Sequence, residues 1–158
     1  MSICYDLIDL VNNMIELEIA GAAFYEAQAR RQRHPLLAPL FTQLAEQEQR
    51  HRIVYERLRD KLAGEAEVDS EYRDYLREII DEKFRFDPVQ AAGCTAPIDV
   101  LELGMQLERD SIRFIDAFGK LTGTRHRDIV EQIRQQEQNH LQWLLDMKAK
   151  ITPGGSPS

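Results

Sequence analysis

Two short stretches carry residue types that could do metal chemistry. Glu48 and His51 stand three residues apart in "EQRH", and Glu137 and His140 repeat that spacing in "EQNH". On a helix, positions i and i+3 share a face, so each pair can present one carboxylate and one imidazole to the same point. Glu18 and Glu108, in "LEIAGAAFY" and "LERDSIRFI", add a carboxylate each. A lone Glu-x-x-His is common on solvated helices. Two of them, each preceded by a matched glutamate, form a far more specific signal.

The elements that must position these residues follow from apolar spacing and punctuation. Helices are expected over about 5–31, 39–62, 70–84, 97–121 and 126–151. Pro35 and Pro39 mark a turn, Gly64 is read as a stop, and Pro97 opens a helix. The segment "FDPVQAAGCTAP" is read as a connector. The four long helices each show a seam stepping by three and four. These seams run through Leu7, Val11, Met14, Glu18, Gly21 and Tyr25; through Phe41, Leu44, Glu48, His51, Tyr55, Leu58 and Leu62; through Leu101, Met105, Glu108, Ile112 and Ile115; and through Val130, Ile133, Glu137, His140, Leu144 and Met147. This spacing predicts an all-α antiparallel four-helix bundle. Because apolar residues flank every acidic position on the seams, the four glutamates and two histidines are expected to point inward.

Glu18 and Glu108 lie 90 positions apart, and the two Glu-x-x-His pairs lie 89 apart. The sequence is therefore read as two hairpin repeats, about 5–62 and 97–151, joined by a crossover over 63–96 that carries the short helix, with a tail at 152–158. Four buried carboxylates would repel one another and lose hydration. Two divalent cations reverse that balance, and oxygen with imidazole suits iron or manganese, with zinc also compatible. Two of the carboxylates could bridge ions roughly 3.5–4 Å apart.

The remaining composition narrows the function classes. A net charge of −7 leaves no basic surplus for nucleic acid. No run approaches the roughly 18 apolar residues of a membrane span, and the opening "MSICYDLIDL" lacks the basic start of a secretory signal. A cytoplasmic protein is expected. Cys4 and Cys94 form no Cys-x-x-Cys pair and are read as reduced, packed thiols. Glu16, Glu46, Glu102 and Asp110 fall off the seams and are assigned to the solvated face, as His34 and His126 are to exposed helix boundaries. Tyr25 and Tyr55, each seven residues after a seam glutamate, are read as core tyrosines with ordinary partners, with hydrogen bonding to the carboxylates or electron relay as the alternative. Ser111 is read as a packing residue, with ligand orientation as the alternative. Met14, Met105 and Met147 are read as gap-fillers, and Trp143 as core or interface.

The ligand set, together with "LEIAGAAFYEAQA", "LAEQEQRH" and "LERDSIRFIDAF", resembles the rubrerythrin family of the ferritin-like superfamily over nearly the whole chain to Met147. The resemblance implies a ferritin-like fold and a di-iron site. In it Glu48 and Glu137 bridge, Glu18 and Glu108 are terminal ligands, and His51 and His140 bind one metal each. It also implies oxidation of iron(II) by hydrogen peroxide or dioxygen, commonly as a peroxidase, in a homodimer or higher homo-oligomer. Manganese or a mixed metal pair is compatible with the same ligands. Three departures matter. The four-cysteine rubredoxin domain of full-length rubrerythrins has no counterpart here, so an external electron donor, or the iron being oxidised, is implied. Ser111 stands where an additional glutamate is common, and Gln49 stands where the bacterioferritins carry their haem-ligating methionine, so no haem is expected. Two further readings are a ferroxidase that hands iron to a store and a helical module that the metal merely staples.

Overall fold

In the computed structural model, residues 5–62 and 68–154 are described. Six α-helices and one 3-10 turn occur among them, and no strand: α1 (Leu7–Arg31), α2 (Leu37–Lys61), a turn at Ser70–Tyr72, α3 (Arg73–Glu82), α4 (Pro88–Ala92), α5 (Pro97–Thr122) and α6 (Arg127–Ile151). No helix among the described residues is long and apolar enough to cross a membrane. The stop assigned to Gly64, the packing of Cys4 and the last four residues of the tail lie outside the described residues.

Local chemistry sets the helix ends. Asp6 caps α1: its side chain accepts from the Asp9 amide at 3.0 Å, and Asp9 returns the bond to the Asp6 amide at 2.8 Å. Pro97 opens α5, where its missing N–H costs nothing. Gly123, at φ 62°, ends that helix in a backbone conformation that disfavours a side chain. The four long helices form the bundle. Along α1, Gly21 meets Leu107, Tyr25 meets Gly104 and Glu108, and Gln28 reaches the Cys94 carbonyl, so α1 and α5 run in opposite directions. The same holds for α2 and α6, where Gln47 faces His140 and His51 faces Gln136 and Glu137.

All six residues named on the seam of α1, and all seven named on the second seam, which ends at Leu62 just past α2, are buried. On α5 and α6 the inner residues Leu101, Met105, Ile115, Ile133 and Leu144 are buried, whereas Ile112, Val130 and Met147 are half-buried. Each large apolar side chain so placed contributes about 1.5–3 kcal/mol relative to exposure. The aromatic part of this core joins bundle to crossover, with the Phe24 and Phe86 rings edge to face at 5.2 Å.

The crossover departs from expectation in two respects. The connector holds the five-residue helix α4, capped by Asp87 and opened by Pro88. Asp110, assigned to the solvated face, is buried: its carboxylate accepts from the Phe86 amide at 2.7 Å and from Gln106 at 3.3 Å, and Arg113 lies 3.6 Å away. The crossover lies over that face of α5, and the free amide at Phe86 needs an acceptor there. Cys94 has a free thiol and is half-buried, and His34 and His126 are half-buried rather than exposed.

Candidate metal centre

The six expected ligands come together at mid-bundle. Glu18 arrives from α1, Glu48 and His51 from α2, Glu108 from α5, and Glu137 and His140 from α6, and each is at most 2% exposed. Their ligand atoms form two groups of four, Glu18–Glu48–His51–Glu137 and Glu48–Glu108–Glu137–His140, within each of which all four atoms lie within 4.8 Å of one another. Glu48 and Glu137 belong to both groups, which is the placement bridging carboxylates require. The two imidazoles lie face to face with centroids 5.7 Å apart, and both turn Nδ1 inward. His51 Nδ1 is 2.9 Å from Glu137 Oε1 and 3.9 Å from Glu18. His140 Nδ1 is 3.2 Å from Glu137 Oε2 and 3.6 Å from Glu108.

Protein alone does not satisfy this cluster. Both oxygens of Glu48, one oxygen each of Glu18, Glu108 and Glu137, and Nδ1 of His140 are buried without a hydrogen-bond partner. Orphaned buried groups of this kind are costly, and six of them converging on one point fit a pair of cations. Electrostatics agrees. Burial, reinforced by the charge of Glu137, raises Glu18 and Glu108 to about 8, and burial with the neighbouring carboxylates pushes Glu48 well above its ordinary range. Burial alone would lower both histidines. The charge and hydrogen bond of Glu137 instead lift His51 to about 9, and the adjacent carboxylates of Glu108 and Glu137 lift His140 to about 10. Burial would also raise Glu137, but its hydrogen bonds and the histidine charges hold it well below the usual carboxylate range. Protons are thus retained around a low-lying central carboxylate, and these are the positions that cations would take.

Small residues make room for this arrangement. A Cβ on Gly21 would meet Leu107 at 3.0 Å and Glu48 Oε2 at 3.2 Å, and one on Gly104 would meet the Tyr25 ring and hydroxyl at 3.3 Å. Ser111 is buried, and its hydroxyl is a further buried polar atom with no hydrogen-bond partner. For Tyr25 the alternative reading holds, since its partner is a member of the cluster: the hydroxyl donates to Glu108 Oε1 at 2.8 Å. Tyr55 is buried with its ring 6.5 Å from that of His51. Trp143 is half-buried, 5.3 Å from the His140 ring. Glu16, Glu46 and Glu102 are exposed, Glu102 with Lys148 at 2.9 Å.

The rubrerythrin family model matches residues 9–148. This chain belongs to the rubrerythrin family. No curated protein matches the sequence. Among solved structures, a Thermotoga maritima protein described as ferritin-like and diiron-carboxylate matches with a TM-score of 0.69 and 22% identity, over 96% of this chain and 100% of that one. At that identity the likeness speaks for the fold, a ferritin-like bundle.

Two polar residues beside the cluster escape a reading based on seams. Gln47 and Gln136 each precede a cluster glutamate by one position and are half-buried. His51 Nε2 lies 2.6 Å from Gln136 Oε1, and His140 Nε2 lies 3.4 Å from Gln47 Oε1. A sequence signal for them does exist. "QEQRH" (47–51) and "QEQNH" (136–140) share the pattern Gln-Glu-Gln-x-His, which is wider than the Glu-x-x-His pair.

Proposed function

We propose that this rubrerythrin-family chain is a non-haem di-iron oxidoreductase that reduces hydrogen peroxide, or dioxygen, at the expense of iron(II). The observation that carries the reading is the pair of four-residue groups sharing Glu48 and Glu137, with oxygens and a ring nitrogen that no protein group satisfies. Glu18 and His51 would complete the shell of one ion, Glu108 and His140 that of the other. When bound, an iron pair supplies two electrons, one from each ion, so that hydrogen peroxide and two protons become two waters.

The chain's own residues supply charge, order and access. Four carboxylates balance four positive charges on two iron(II) ions, and protons held within the cluster leave as the ions enter. The Tyr25 hydroxyl holds one oxygen of Glu108 in place. Access for a small oxidant would run through the groove of about 430 Å³ between α2 and α6, which is lined by His51, Val54, Ile129 and Ile133 among others. Electrons for repeated turnover come from an external donor.

Anaerobic loading with iron(II) followed by hydrogen peroxide tests this. The expected result is two irons per chain, an absorption band of the oxidised pair after one equivalent of peroxide, and sustained peroxide consumption with an added reductase. No band at two irons per chain would refute the reading. Accumulation of iron far beyond two per chain, with slow peroxide consumption, would favour storage instead.

A further inference from the structure

We infer that Gln47 and Gln136 are positioning residues for the two metal-side histidines, each serving the histidine of the opposite helix. The inference rests on the di-metal reading. Both imidazoles turn Nδ1 toward the carboxylates and Nε2 away from them. A ring nitrogen that gives its lone pair to a cation carries no proton, so the ring proton must sit on Nε2, and an N–H there needs an acceptor. The amide oxygens supply it. Gln136 of α6 accepts from His51 of α2 at 2.6 Å, and Gln47 of α2 accepts from His140 of α6 at 3.4 Å. The two bonds cross between the helices in opposite senses.

The location gives these bonds a second consequence. Gln47 and Gln136 both line the α2–α6 groove beside His51. Without an amide oxygen there, Nε2–H would bond to water, which fixes neither the ring's rotation nor its tautomer. A glutamine is neutral, so it orients the imidazole without adding a fifth negative charge to the four buried carboxylates. Acceptors behind metal-bound histidines typically change metal affinity by about 10–100-fold when removed. Affinity and tautomer are therefore the readouts, and both can be taken with a redox-inert ion.

The test uses zinc(II) on the full chain, with affinities from competition against a chromophoric chelator. Long-range proton–nitrogen NMR spectra of the zinc-loaded protein report the histidine tautomers. Wild type is expected to take two zinc ions per chain with both imidazoles protonated on Nε2. Gln136→Leu should weaken one ion by about 10–100-fold, leave the other unchanged, and broaden or shift the His51 ring signals alone. Gln47→Leu should do the same at His140 with a smaller loss, because its contact is the longer one. Gln136→Glu, whose carboxylate can accept the same proton, should restore tight binding at His51. If either leucine variant fails to fold, Gln→Asn at that position withdraws the amide by one methylene without changing polarity and should show the same site-selective loss. Two zinc ions in wild type with unaltered affinities and tautomers in the variants would overturn this inference and leave the di-metal reading standing. Fewer than two zinc, iron or manganese ions in wild type would overturn both.

Discussion

Glu48 and Glu137 are the residues whose loss should matter most, because each belongs to both four-residue groups. Replacing either with alanine is expected to abolish two-metal occupancy while far-ultraviolet circular dichroism stays close to wild type, since the apolar seams that form the helices are untouched. Retention of two ions per chain, measured by elemental analysis, would show that bridging was wrongly assigned. Glu18→Ala and Glu108→Ala each touch one group only, so each should spare one ion. Tyr25 makes a different prediction. Tyr25→Phe removes a buried donor to Glu108 Oε1 and adds that oxygen to the unsatisfied set. The cost should be about 1–3 kcal/mol in the metal-free protein. Unchanged urea midpoints for Tyr25→Phe would show that the 2.8 Å contact contributes nothing. The convergence of the six side chains was legible in sequence because charge on an apolar seam is conspicuous. The Tyr25 bond was legible only as the less favoured alternative, because a seam places Tyr25 inside the bundle without saying which oxygen across it lies within reach.

The same distinction governs the elements. The four long helices follow from the three-and-four spacing, and their observed ends agree with expectation to within two residues, the helix beginning at Leu37 being the one that starts early. Helix α4 was hidden because five residues cannot display a period; its signals were the Asp87 cap and Pro88. Asp110 was misread because a solvated face is inferred from one helix at a time, and the crossover covers that face with backbone. Its carboxylate is the acceptor for the Phe86 amide and lies among Gln106 and Arg113. Asp110→Ala should therefore free a buried amide and destabilise the protein by about 1–3 kcal/mol, seen as an earlier urea midpoint. Asp110→Asn keeps an acceptor oxygen and should recover most of the loss. Equal stability of both variants with wild type would mean that the crossover is not anchored through this bond.

At the scale of the molecule, the cluster sets the fold against its own site. In metal-free protein Glu18 and Glu108 are raised to about 8, His51 to about 9 and His140 to about 10, so the folded chain binds protons that the unfolded chain has released. Groups raised in this way stabilise the fold fully below their unfolded values and lose that contribution as pH climbs through their folded ones. For the two glutamates the window runs from about 4.5 to about 8, and for the histidines from about 6.5 to between about 9 and 10. Glu137 is shifted the other way, so its contribution is lost only as pH falls below the ordinary carboxylate range and lies outside the window. Chelator-treated protein should accordingly show a melting temperature that declines steadily from pH 5 to pH 9. Metal-loaded protein should show no such decline, because cations take the place of the protons and bind more tightly as competing protons become scarce. Paired calorimetric scans across that range check both arms. A flat profile for the metal-free protein would mean that the carboxylates ionise freely, which a cluster excluded from water does not allow. A parallel decline in the loaded protein would mean that the ions sit elsewhere, since cations held by these six side chains remove the protons whose loss drives the decline.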